Sequence, residues 1–183
     1  MSNKFLYEVL TKCQQQGNLV AIYVAQDMNV FELGYIEAVT DYDVLFRSER
    51  ADGYSEGLVV TPLALISQIE AENDYLRAVT LMQNDKGSQR KEAFLETVPK
   101  RKHSLMAIAS NYLEQTKRVC FVEVLGGESI VMGVFQEELE EGICLRNVTE
   151  EGRYDGHTWL KKEDITALRW DGTRENEIEK KLK

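Results

Sequence analysis

The sequence predicts a mostly β protein with short helices, arranged as two tandem five-stranded barrel-like units, each preceded by a helix. Three observations predict it: a repeat at a displacement of 99 residues, period-two apolar alternation inside each copy, and a helix-spaced apolar stripe ahead of each copy. The repeat comes first, because each copy is one supersecondary unit and missing it misreads the whole fold. At this displacement Gly34, Gly53 and Gly57 fall on Gly133, Gly152 and Gly156. Val20 meets Val119, Ile22 meets Phe121, Ile36 meets Phe135, Val44 meets Ile143 and Ile66 meets Ile165, with no gap from Val20 to Ile69. The units are residues 1–85 and 104–183, and residues 86–103 form a basic linker.

Each element follows in order. Leu6, Val9, Leu10 and Cys13 recur at helical spacing in Phe5–Gln16, and Gly17 stops the run. Alternation then predicts strands at Val20–Ala25, Val30–Val39, Val44–Ser48, Leu58–Thr61 and Ile66–Glu70. Gly34, inside the second run, predicts a bulge or sharp bend. Tyr75–Gln83 reads as a short helix. The second copy repeats the plan with a helix over Ser104–Lys117, capped by Ser104. Its strands are Val119–Val124, Ile130–Gln136, Ile143–Asn147, His157–Leu160 and Ile165–Trp170. Gly126–Gly127 reads as a hairpin turn. The charged tail Glu175–Lys183 reads as a fraying helix. In the linker a helical turn is expected around Ala93–Val98, ended by Pro99.

Hydrophobic content of 43% and charged content of 29% predict a packed core rather than disorder. No apolar run approaches the roughly 18 residues of a membrane helix, and Met1–Leu10 lacks a secretory pattern. A cytoplasmic location without membrane partners is expected. Cys13, Cys120 and Cys144 are an odd number at wide spacing, so neither disulfides nor a zinc site is indicated, and each reads as a small buried hydrophobe. Net charge is −9, which opposes non-specific binding to phosphate backbones, and no DNA partner is expected. The charge is uneven: residues 1–86 carry 6 basic and 13 acidic side chains, residues 87–103 carry 5 and 2, and residues 104–183 carry 11 and 16.

A helix followed by five short, strongly bent strands is the Sm-like plan, a member of the SH3-like barrels. The run VAIYVAQDMNVFELGYIEAVTDYDVLF, Val20–Phe46, resembles the first Sm motif, particularly that of the bacterial Sm-like RNA chaperones. Val119–Leu145 is similar in outline. The resemblance implies assembly through barrel-edge strands into rings, with RNA on the ring faces. If the tandem replaces two ring subunits, a trimer makes a pseudo-hexamer. The base-stacking aromatic of the family falls on Tyr42, and Glu141 holds that place in the second unit. Thr40 stands where the family has Asp. The family's Lys-His pair falls on Leu63 and Ala64 in the first unit, and on Lys162 and Glu163 in the second.

No nucleophile–base, metal-ligand, dinucleotide or phosphate-loop pattern occurs, so neither catalysis nor a cofactor is expected. His103 and His157 lack a neighbouring ligand at metal spacing. The acidic residues Asp41, Asp43, Asp52 and Glu56, and the group Glu137, Glu138, Glu140, Glu141, Glu150, Glu151 and Asp155, read as solvated turns. Two binding functions stay open. One is a non-catalytic module for protein partners or self-association. The other is a divergent Sm-type RNA binder using Tyr42, Lys162, Arg90, Lys91, Lys100, Arg101 and Lys102, with Phe94 as a stacking ring. Trp159 and Trp170, opposite Val60 and Ala71 in the first unit, mark a surface that differs between the copies.

Overall fold

The computed structural model describes residues 3–24, 31–83, 94–95, 102–125 and 129–182. The first unit runs α1 (Lys4–Gln16), β1 (Leu19–Val24), β2 (Phe31–Val39), β3 (Asp43–Glu49), β4 (Ser55–Pro62), β5 (Ile66–Ala71) and α2 (Asp74–Gln83). The second runs α3 (Leu105–Thr116), β6 (Val119–Val124), β7 (Ser129–Glu138), β8 (Gly142–Val148), β9 (Tyr154–Lys161), β10 (Ile165–Trp170) and α4 (Thr173–Lys181). A 3-10 turn joins the fourth and fifth strands of each unit, at Leu63–Leu65 and Lys162–Asp164. No helix among the described residues is long and apolar enough to cross a membrane.

The strands do not close into two separate barrels, which corrects the expectation from sequence. They form one open, antiparallel ten-stranded sheet in the order β5-β1-β2-β3-β4-β10-β6-β7-β8-β9. Each unit keeps the internal order fifth-first-second-third-fourth. Strand β4, instead of meeting β5 of its own unit, pairs with β10: Leu58, Val59 and Val60 face Trp170, Arg169 and Leu168. A strand offers hydrogen-bonding groups on both sides, and β4 satisfies its second side with the sister unit.

The gapless repeat also needs correction. From β2 onward the copies align at 99 residues, but Val20 pairs with Gly34 while Cys120 pairs with Gly133. Ile22 faces Ile69, as Val122 faces Leu168. The helices and first strands therefore align at 100 residues, with one residue lost between the first and second strands of the second unit. Such a slip inverts the face of every side chain on the strand, so Val20 answers to Cys120 and not to Val119.

Bending has an identifiable cause. The register shifts between Ile36 and Ala38, and equally between Phe135 and Glu137. These matching bulges turn the second strand. Gly34 and Gly133 serve close approach: a Cβ would lie 2.7 Å from the Arg47 and Arg146 carbonyl oxygens, respectively.

Two of the buried apolar clusters cross the junction. Leu10, Cys13, Val20, Ile22, Ile36, Val44, Phe46 and Val59 share a cluster with Ala167 of β10. The second unit's Leu105, Leu113, Val122, Phe135, Leu168 and Trp170 share one with Leu45, Leu58 and Val60 of the first. Full burial of each such side chain contributes about 2 kcal/mol. The tail does not fray: α4 buries Ile178 against Val119, Phe121, Val134 and Val148.

Candidate functional site

The junction shows what a unit's outer edge can do, so its parts come first. Helix α3 lies across β3 and β4 of the first unit as well as on its own β7. Its first residue, Leu105, is fully buried. Asp43 at the start of β3 accepts a hydrogen bond from the Ser104 hydroxyl at 2.7 Å and from the Met106 amide at 3.3 Å. Both are donors at the positive end of the helix, where a carboxylate is favoured. Asp43 is only 4% exposed, so it is not a solvated turn residue as its acidic neighbours suggested. Burial pushes its carboxyl pKa up, against the Ser104, Met106 and Leu105 donors that pull it down.

Arg169 of β10 reaches Glu32 of β2 and Glu123 of β6 together, bonding Glu32 through two nitrogens and Glu123 at 2.6 Å. Burial pulls its pKa down, and the Glu32 and Glu123 carboxylates outweigh that and raise it. This ion triad locks the two units in register beside an open cleft of about 600 Å³ lined by Tyr54, Phe121, Glu123, Arg169 and Arg174. Arg174 stands 5.0 Å from the centre of the Phe121 ring and pairs with Glu150. Gly57 takes φ +92°, and a Cβ there would lie 2.2 Å from the Trp170 carbonyl oxygen. Only glycine lets the strands meet so closely.

Strand β9 is the counterpart of β4 and forms one end of the sheet. Its inner side pairs with β8, with Leu145 facing Thr158 and Cys144 facing Trp159. Where β4 has Leu58, Val59 and Val60, β9 has His157, Thr158 and Trp159. Val60 is fully buried, whereas Trp159 is 65% exposed with the His157 ring 5.9 Å away. Gly156 keeps a positive φ of +71°, with nothing within 4 Å of a Cβ. Strand β5, the counterpart of β10, forms the other end of the sheet, with Ser67 and Ala71 exposed and Ile69 half-buried. On the same unit Phe5, the counterpart of Leu105, is 73% exposed.

Of the candidate RNA residues, Tyr42, Lys102 and Lys162 lie among the described residues. Tyr42 is exposed in the first unit's turn, whose backbone is held by Thr40: its buried hydroxyl accepts from the Tyr42 and Asp43 amides. Thr40 thus does local work at the place where the family carries Asp. Lys162 opens the 3-10 turn after β9 in the other unit, where it pairs with Glu138 at 2.7 Å and donates to the Glu140 carbonyl at 3.2 Å. Lys102 is exposed. Arg90, Lys91, Lys100 and Arg101, like the Gly126–Gly127 turn and most of the linker turn around Ala93–Val98, lie outside the described residues. Phe94 is no stacking platform. It is fully buried, edge-on to Trp170 at 5.0 Å and to Tyr112 at 5.1 Å.

Among the described residues no group of three or more His, Cys, Asp or Glu is placed to hold a metal ion. Cys13, Cys120 and Cys144 are buried and unbridged, and burial pushes the Cys120 thiol pKa up. Of the residues that matter at the edges, Asp43 had no signal of its own in the sequence, and Phe5 had a faint one, as a large apolar side chain on the first turn of a helix, ahead of the stripe Leu6, Val9, Leu10 and Cys13. No family model, curated protein or solved structure matches the chain.

Proposed function

We propose that this chain is a non-catalytic binding module of two Sm-like units, working by addition of a polypeptide strand to its open edge at β9. One observation carries this reading: β4 is sealed by a paired strand, whereas its equivalent β9 presents the same backbone and the same positive-φ glycine with Trp159 exposed. Unpaired strand groups recruit a further strand through main-chain hydrogen bonds, and side chains such as Trp159 give selectivity. The strand order within each unit, the leading helix and the bulged second strand support the Sm-like reading. RNA is the less favoured ligand, because the charge of Lys162 is taken up by Glu138.

The test uses a fluorescent peptide of residues 163–172, the segment whose seat on β4 is seen, titrated with the dilute full-length protein. Saturable anisotropy that is lost in Trp159→Lys is expected. Absence of binding up to the highest concentration at which the chain stays monomeric would overturn the reading. Saturable, salt-sensitive binding of single-stranded RNA in its place would point to the phosphate-binding alternative.

A further inference from the structure

The cleft beside the ion triad is walled by both units. The first supplies Glu56 of β4 and the turn before it, with Tyr54. The second supplies Phe121, Ile130, and Glu175 and Glu177 of α4. Its charges do not balance. Three arginines line it, and each already has a carboxylate. Arg50 pairs with Asp52 at 3.0 Å, Arg169 with Glu32 and Glu123, and Arg174 with Glu150. Glu56, Glu175 and Glu177 line the same cleft, and among the described residues none of the three forms an ion pair.

A carboxylate in open water needs no partner, but Glu175 is not in open water. It is 4% exposed and borders the cleft. Among the described residues its one hydrogen-bond donor is its own amide. Burial pushes its carboxyl pKa up, against that amide and against Arg169 and Arg174, which stand beyond pairing distance. A buried carboxylate without a cation is costly, and a cation supplied from outside removes the cost. Gly172 fixes the place. A Cβ there would collide with both the Glu175 carboxylate and the Glu56 carbonyl oxygen, so α4 meets β4 with these two oxygen acceptors side by side.

From this we propose that the cleft binds a linear polyamine, a small aliphatic chain carrying several ammonium groups. Among the described residues no group of three or more His, Cys, Asp or Glu is placed to hold a metal ion, so the surplus carboxylates do not converge on one centre. Separate carboxylates call for separate positive charges joined by a spacer. An ammonium has three donors and no acceptor, and at Glu175 it can donate to the carboxylate and to the Glu56 carbonyl beside it. Tyr54, Phe121 and Ile130 give the same cleft an apolar wall for the methylenes. Its volume of about 600 Å³ is that of a small-molecule site. The bound chain ties Glu56 of the first unit to α4 of the second, across the seam. The cleft is built from other residues than β9, so this proposal stands apart from strand addition.

The experiment is isothermal titration calorimetry of the full chain with spermidine at about 150 mM monovalent salt, where attraction between distant surface charges is largely screened. One saturating site per chain is expected. Glu175→Gln keeps an oxygen that accepts at the helix end, as Gln does in capping boxes. It should weaken binding about tenfold or more, as loss of a hydrogen bond to a charged group does. Glu177→Gln alters an exposed side chain, leaves the fold intact and should weaken binding about threefold. Glu8→Gln removes the same unit charge from α1, outside the cleft, and should change nothing. If Glu175→Gln does not fold, Glu177→Gln against Glu8→Gln decides alone. Equal losses inside and outside the cleft would mean general attraction to an acidic chain, and would overturn the proposal. Absence of a saturating site overturns it too. Saturation by an oligolysine peptide where spermidine gives none also overturns it, and makes the cleft a docking surface for a basic protein segment.

Discussion

Strands β4 and β9 hold the same place in the repeat, have the same partner on their inner side and share a glycine of positive φ. They differ in what meets their outer side. On β4, three consecutive apolar residues are buried: Val59 faces its own unit's core, while Leu58 and Val60 join the core of the sister unit. On β9 the same positions hold imidazole, hydroxyl and indole, and only Thr158 is partly covered. The contrast shows that the edge geometry is a property of the unit, whereas permanent burial is a property of the side chains placed on it. A permanently covered edge tolerates Leu-Val-Val. An edge that spends time in water needs side chains that solvent accepts, and exposed edges of that kind avoid uncontrolled pairing.

The largest effect should separate the two glycines. In Gly57→Ala the new methyl meets Trp170 backbone at 2.2 Å in addition to an unfavourable φ. The junction must part, and a loss above about 4 kcal/mol is expected in urea unfolding, in the range that marks severe core lesions. Next comes Arg169→Ala, which leaves Glu32 and Glu123 facing each other half-buried without their cation and should cost about 3 kcal/mol. Gly156→Ala meets no neighbouring atom and bears only the left-handed backbone cost of about 1–2 kcal/mol. Equal losses for the two glycine variants would mean that β4 and β9 are not the occupied and open forms of one edge.

Much of this was readable from the residues. Glycine spacing and alternation located the ten strands, because each glycine answers a local backbone demand. The junction was not readable, since strand pairing between units leaves no periodicity of its own. Its one local trace is GLVVTPLALI set against GHTWLKKEDI: a continuous apolar run marks a strand covered on both faces, an interrupted one a strand covered on one. The one-residue slip was hidden because Val20 matched both Val119 by identity and Cys120 by burial, and only pairing partners distinguish them. Phe94 looked like a linker ring beside cations, and a tertiary contact with Trp170 outweighed that local setting. Asp43 resembled its solvated neighbours because its partners, Ser104 and Met106, lie more than sixty residues away.

The smallest effect tests the feature that the outer edge lacks. Asp43 has a raised pKa in the folded chain because burial disfavours its charge more than the α3 donors favour it. The folded value stands above the unfolded one. Its contribution to stability is therefore fully present below the ordinary aspartate range, and is lost as pH rises through the raised folded value. Asp43→Asn keeps an oxygen that can accept from Ser104 and removes the titration. Urea unfolding of both proteins across mildly acidic to neutral pH cancels the other carboxyls raised by burial, Glu49, Asp171 and Glu175, since both proteins share them. The stability of the wild type relative to the variant should fall as pH rises and then level off. A difference that instead grows with pH would mean that the α3 donors outweigh burial, making the charged carboxylate a net clamp between the units. Gly142 at the outer edge has no side chain to supply such a clamp, so the inner junction would then owe part of its permanence to this one residue.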